Sequence, residues 1–284
     1  MPKLTRACLV LCLFELSSLH YAQQLHYSLM SKSVIIDRVK ESQKTNDERE
    51  QKIKELFQQA GCGSALAEQP VKHVKTPNVI CKLQGDTDEQ IIVGAHYDKV
   101  SAGTGTIDNW SGAALLASLY QGLAFQKRRY TFVFVAFTGE EEGLMGSEYF
   151  AKHMPRDKVA STKAMVNMDT LGLSSTKIWV HRADENLVRA LLVVSGSLKL
   201  PVGEVDVENI GSTDSESFRD KRIPSITIHS LTRQTLPILH SGADVFQALH
   251  PDEYEYFDSY RLLQTYLAYL DVSLPSGSSN GNRH

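Results

Sequence analysis

The chain lacks any apolar stretch near the ~20 residues needed to cross a bilayer as a helix, so nothing in its 284 residues reads as a membrane span. It lacks an excess of positive charge. Thirty lysines and arginines against 33 aspartates and glutamates give a formal net charge of -3. That balance, with an isoelectric point near 6.4, removes the electrostatic case for a nucleic-acid partner. Cysteine is scarce, at 4 residues, and none has the spacing of a cysteine zinc site. No internal repeat is present, which sets aside solenoids and propellers. What remains is a composition 42% hydrophobic and 22% charged, enough apolar material at this length for one large α/β core.

The N-terminus carries Lys3 and Arg6 ahead of an apolar run at 7–14 (ACLVLCLF) and a polar stretch ending near Ala22. That order matches an export signal, with an apolar N-terminal helix of a cytosolic enzyme as the other reading. The expected organisation is a signal peptide at 1–22, a single domain at 23–274 and a disordered tail at 275–284 rich in Ser, Gly and Asn. The expected location is secreted or periplasmic. Cys8 and Cys12 would leave with the signal. Cys62 and Cys81 remain, and can either pair in an oxidising compartment or stay as two buried thiols.

Along the chain, 31–62 reads as helical, with an N-cap at Asn46-Asp47 and a stop at Gly61. Strands are expected at 65–73, 78–83, 90–95, 131–137, 163–168, 176–181, 202–207 and 224–228. Helices are expected from Asp108 to Leu123, from near Leu144, and at 185–198, 213–218 and 254–272. This alternation predicts an α/β fold: a three-layer sandwich with a mixed, largely parallel central sheet and helices on both faces.

The segment 131–150 (TFVFVAFTGEEEGLMGSEYF) organises the rest. A run of residues suited to burial on both faces meets Glu140, Glu141 and Glu142 in succession. Carboxylates at a buried strand end repel one another and lose hydration. A cation would relieve that, and so would a solvated turn opening a helix whose N-terminus favours acids. The other strands favour the cation. The strand at 90–95 ends in His96 and Asp98, that at 163–168 in Asp169, and that at 224–228 in His229, while Asp108 follows in a loop. Parallel sheets place their sites beyond the carboxyl ends of their strands. Imidazoles and carboxylates gathered there suit two zinc ions bridged by a carboxylate, with a spare carboxylate as general base.

The motifs GAHYD (94–98), DNWSG (108–112), GEEEGLMGS (139–147), NMDTLG (167–172), STDSESF (212–218) and HSGAD (240–244) occur in that order. In them the chain resembles the co-catalytic di-zinc aminopeptidases, relatives of secreted leucyl aminopeptidases, glutamate carboxypeptidase and glutaminyl cyclase. The resemblance implies two zinc ions, one held by His96 and Asp169, the other by Glu141 and His240, with Asp108 bridging both. It implies Glu140 as the base, hydrolysis of peptide substrates by a metal-bridging hydroxide, and Asp98 hydrogen-bonded to His96 from behind. Glu142 then only begins a helix. His240, followed by Ser241 and by Asp244, fits the motif better than His229 as the last ligand. His73, His153, His181 and His250 are expected at the surface or at helix and loop ends. Alternatives are a carboxypeptidase or dipeptidase, with Arg233 available for a terminal carboxylate, a glutaminyl cyclase-like acyltransferase with one zinc, and a non-catalytic ectodomain.

Overall fold

The computed structural model describes residues 25–205, 211–249 and 254–275; the expected signal peptide, the end of the 202–207 strand, His250 and all but the first residue of the tail lie outside them. In chain order the elements are α1 (Lys32–Lys40), α2 (Asn46–Gln59), β1 (Leu66–Gln69), β2 (Asn78–Leu83), β3 (Gln90–His96), α3 (Ser111–Leu123), β4 (Thr131–Phe137) and α4 (Met145–His153). Next come α5 (Arg156–Ser161), β5 (Thr162–Met168), β6 (Lys177–Ile178), α6 (Glu185–Leu198), β7 (Gly203–Glu204), α7 (Ser215–Arg219), β8 (Ser225–His229) and α8 (Tyr254–Ser273).

These strands form one sheet in the order β1-β2-β4-β3-β5-β8-β6-β7. The central run β4-β3-β5-β8 is parallel, and the pairs β1/β2, β2/β4 and β6/β8 are antiparallel. Strand periodicity explains the three layers. Ile91, Val93, Ala95, Phe132, Phe134, Ala164 and Val166 join the larger core, whereas Ile92, Val133, Val135 and Met165 join a smaller one on the opposite face. Helices α1, α2, α3, α6 and α8 cover the larger face; α4 and α7 cover the other. Chain order reverses at β3, which has β4 on one side and β5 on the other. That is where an open α/β sheet leaves a crevice at its carboxyl edge. Among the described residues no helix is long and apolar enough to cross a membrane.

Several boundaries differ from the sequence reading. The N-terminal helical region is two helices, and the cap of α2 is Thr45 rather than Asn46 or Asp47. Thr45 Oγ1 accepts from Glu48 N and the Glu48 carboxylate returns to Thr45 N, a reciprocal capping box. The first strand ends at Gln69, before Pro70, whose missing N–H cannot continue a ladder. The strand expected at 176–181 pairs over only two residues, Lys177 and Ile178, before the chain turns at Val180–Arg182. Helix α5 was absent from the sequence reading; at 6 residues it is too short for apolar periodicity to reveal. Cys62 and Cys81 are joined as a disulfide that ties the end of α2 to β2, with Cα atoms 6.0 Å apart.

Candidate metal centre

His96 is the last residue of β3, Glu140 and Glu141 follow β4, and Asp169 follows β5. Asp108 arrives on the turn before α3 and His240 on the segment between β8 and α8. These six converge. His96 Nε2 lies 3.2 Å from Asp108 Oδ1 and 3.7 Å from Asp169 Oδ1. His240 Nε2 lies 3.2 Å from Asp108 Oδ2 and 2.8 Å from Glu141 Oε2. The two oxygens of Asp108 thus face different histidines. The donor atoms of His96, Asp108 and Asp169 fall within 4.8 Å of one another, as do those of Asp108, Glu141 and His240. Both sets have the size and the nitrogen–oxygen chemistry of a divalent cation site, and they share one carboxylate.

Charge points the same way. Burial, reinforced by Asp169, Asp214 and Asp108, pushes the Glu140 carboxyl well above the usual carboxylate range. Burial and Asp108 push Glu141 up to about 7. Burial alone would raise Asp108, but hydrogen bonds from His240 and His96 hold it below the ordinary value. The hydrogen bond to Asp108 raises His240 to about 9. Protons are standing in for cations around acids that cannot all ionise together. Two buried atoms point to the same deficit: Glu141 Oε1 has no partner, and His96 Nδ1 has only Asp98 Oδ1 at 3.5 Å. The donor set fits a pair of divalent cations.

Glu140 is in neither set that contains Asp108; it forms a third with His96 and Glu141, its Oε2 4.0 Å from His96 Nε2. Its backbone is fixed by Asp98, whose carboxylate oxygens accept the N–H groups of Glu140 and Glu141, each at 3.1 Å. Asp98 lies behind His96 on the expected side, its Oδ1 3.5 Å from His96 Nδ1, and its hydrogen bonds also orient the acid pair. Glu142 is exposed in the turn ahead of α4 rather than within the helix. His229 ends β8 and borders the same cleft, but its ring nitrogens are spent on backbone groups. Its Nδ1 accepts from Leu231 N at 3.1 Å and its Nε2 meets Val205 O at 3.2 Å. His73 and His181 are exposed, and His153 turns its Nδ1 to Tyr149 O at the end of α4.

Three supports carry no role in the sequence reading. Asp244 accepts from Ile107 N at 2.7 Å and Asp108 N at 3.2 Å, and its carbonyl accepts from Thr104 N, so one residue fastens the His240 segment to the Asp108 turn. Asn109 Oδ1 accepts from Thr170 N and Gly112 N, and its Nδ2 donates to Met168 O, linking the Asp108 turn to β5. Gly112 is required there: a Cβ would meet Asn109 Oδ1 at 2.6 Å and Met168 O at 2.7 Å. Arg49 of α2 is fully buried and donates to the carbonyls of Tyr97, Thr104 and Gly105 at 2.6–2.8 Å. Asp244 and Asn109 sit inside quoted motifs, which was their signal; Arg49 lies in a run of charged helix residues and gave none.

Beside the acids opens a cavity of about 120 Å³ whose walls include Trp179, Thr227, His229, Leu231 and Leu239. Among the described residues no lysine or arginine lines it, and Arg233 is exposed away from it. Burial drives His229 down to about 4, so its imidazole is neutral at physiological pH.

A parallel sheet with clustered carboxylates and imidazoles at its carboxyl edge defines a metallohydrolase-type α/β domain. The match to the model of peptidase family M28, over residues 78–262, shows that the chain belongs to that family. It is 24% identical over 220 residues to a probable leucine aminopeptidase of Arthroderma otae, covering 70% of this chain and 59% of that protein. The first three curated relatives are spanned over 32%, 59% and 21% of their lengths, less than two thirds in each case. Among solved structures, the LapA aminopeptidase of Legionella pneumophila superposes with a TM-score of 0.72 at 18% identity, over 90% of this chain and 79% of that one. A glutaminyl cyclase from Fimbriiglobus ruber superposes with a TM-score of 0.70 at 17% identity, over 86% and 98%. At those identities the likeness establishes the shared fold.

Proposed function

We propose that this protein is a zinc-dependent exopeptidase that removes the N-terminal residue of peptides and holds two zinc ions. One ion would be held by His96 and Asp169, the other by Glu141 and His240, with Asp108 shared. The observation that carries the reading is the split of Asp108, one carboxylate oxygen to each histidine at 3.2 Å. Bound zinc supplies Lewis acidity to the scissile carbonyl and to the attacking water. Glu140, partly buried and in neither of the two sets that share Asp108, takes the proton from that water and delivers it to the leaving amine. Asp98 holds Glu140 and Glu141 in register for these separate tasks. Acids at the cleft, and no lysine or arginine among the described residues of its wall, suit a substrate's ammonium end rather than its carboxylate end. His96 turned into the donor set supports two ions over the single zinc of a cyclase-like reading.

Export is part of the proposal, supported by the basic-then-apolar N-terminus and by the Cys62–Cys81 disulfide. N-terminal sequencing of the exported protein is expected to begin after Ala22. The activity is tested with zinc-loaded protein and a leucyl chromogenic amide. Two equivalents of zinc and release of leucine are expected, with Glu140→Gln lowering kcat about 10²–10⁴-fold at unchanged zinc content. Wild-type turnover in that variant would overturn the role of Glu140.

A further inference from the structure

A buried cation takes no part in the proposed reaction. Arg49 is fully buried, and burial lowers its guanidinium only to about 10, so it stays charged at neutral pH. A buried charge normally sits against an opposite one. The hydrogen bonds of Arg49 go instead to neutral oxygens. Its Nε donates to Gln43 O at 3.1 Å and its Nη1 to Tyr97 O at 2.8 Å. Its Nη2 donates to Ser42 Oγ, Thr104 O and Gly105 O at 3.0, 2.7 and 2.6 Å. These partners are spread around the metal centre. Tyr97 stands between His96 and Asp98, the residue that holds the N–H groups of Glu140 and Glu141. Gly105 O also accepts from Trp110 N at 3.1 Å, which closes the turn carrying Asp108. The Trp110 ring lies against the guanidinium, its centroid 5.4 Å from the guanidinium carbon. Gly105, at φ +60, leaves the room: a Cβ there would meet Arg49 Nη2 at 2.8 Å.

Taking a charge out of water is costly, and a well-packed apolar side chain of the same volume often stabilises a core as well or better. An apolar side chain cannot fix several carbonyls at set angles, which a planar guanidinium fork does. Resting on the two-ion reading of the centre, we propose that Arg49 is a positioning residue that sets the separation of His96 from the bridging carboxylate Asp108, and through it the affinity for both ions. It touches neither ion nor substrate. It ties the carbonyl next to His96 to two carbonyls at the start of the Asp108 turn through one rigid group. Asp244 does something narrower, fastening the His240 segment to that turn. A lysine at position 49 keeps the charge but, as a point charge on a flexible stem, cannot reproduce the fork.

The test reads the metals themselves. In stepwise chelator titrations of zinc-loaded protein, Arg49→Lys is expected to hold two equivalents at saturating zinc and to release both about 10–100-fold more readily than the wild type. Asp244→Ala is expected to loosen only the ion held by Glu141 and His240. Cobalt(II)-loaded Arg49→Lys is expected to show visible absorption bands displaced from those of the wild type, because the ligands around the ions have shifted. On a leucyl amide its kcat is expected to fall about tenfold with KM within about twofold, the split of a residue that acts on geometry rather than on substrate binding. Ser42→Ala removes one acceptor of the guanidinium without touching a ligand, and is expected to move both release steps about twofold in the same direction. It carries the test if Arg49→Lys does not fold. Release steps that stay as in the wild type, a shift in only one of them, or unchanged cobalt bands overturn the assignment and leave Arg49 as a core residue. Wild-type protein that binds a single equivalent overturns it together with the two-ion reading. Displaced bands and two loosened steps in a protein that cleaves no peptide overturn the peptidase reading and leave the Arg49 assignment standing.

Discussion

The two halves of the metal centre share Asp108 but are built from different material. His96 and Asp169 end adjacent parallel strands, β3 and β5, whose pairing runs up to Gly94 and Asn167. His96 is 1% exposed. His240 sits on an irregular segment with φ +54, where a non-glycine residue is uncommon, and its side chain is 57% exposed. Its partner Glu141 is held through the turn that Asp98 clamps. One half is therefore positioned by the sheet, which cannot move without breaking ladder hydrogen bonds. The other depends on a few side chain to backbone bonds, chiefly those of Asp244. A strand-borne half offers rigidity, and a loop-borne half offers access for water and substrate.

Asp108 is the place where that contrast can be broken outright. Asp108→Asn removes a charge from both halves at once. Activity is expected to fall on the order of 10³-fold, the several kcal/mol that metal-centred charge stabilisation is worth. Zinc content measured by emission spectroscopy is expected to fall at both positions together. Loss of a single equivalent would show that the halves are independent. His240→Ala should instead remove only the loop-borne ion. In stepwise chelator titrations, wild-type protein is expected to lose one equivalent about 10–100-fold more readily than the other. That weak step should be missing in His240→Ala and present in the wild type. Asp244→Ala, which unfastens the segment without removing a ligand side chain, should weaken the same step while preserving both equivalents at saturating zinc. Equal release of the two ions from wild-type protein would contradict the contrast.

The same division decides what could be read from the chain. Strands β3, β4 and β5 are runs of apolar residues buried on both faces, so their ends, and with them His96, Glu140, Glu141 and Asp169, follow from hydrophobic pattern alone. His240 carries no such pattern, and only its motif context separated it from His229, which the pattern favoured. His229 failed as a ligand because its ring nitrogens are spent on Leu231 N and Val205 O, backbone groups whose positions no local periodicity specifies. Arg49 and the pairing of Cys62 with Cys81 are contacts of high sequence separation, visible only once the sheet has brought α2 against the 97–105 segment and β2.

His229 sharpens the comparison by pH. It is the third imidazole near the cleft, and burial holds it at about 4 against an unfolded value of about 6.5. Between those values the unfolded chain binds the extra proton, so stability is intact above about 6.5 and declines as pH falls through that window. The loss from this one group is about 2 kcal/mol at pH 5. His229→Gln is expected to flatten that part of the stability profile, measured as urea midpoints from pH 7 to 5 on zinc-free protein, while zinc stoichiometry is unchanged. An unaltered slope would mean that His229 titrates freely in the fold.

The smallest expected effect concerns the third acid of the triplet. Glu140 and Glu141 are turned inward because their N–H groups are taken by Asp98. Glu142 follows them directly but points outward and is exposed, where water supplies its solvation and no structural partner depends on it. Glu142→Ala is therefore expected to change activity less than about twofold and stability within about 0.5 kcal/mol, as surface substitutions do. Glu141→Ala, one position earlier, should cost the loop-borne ion. If the two variants instead behaved alike, the clamp by Asp98 would not be what sorts the glutamates. The acids would then be interchangeable charges at a solvated turn, and the strand-borne half would be the whole of the centre.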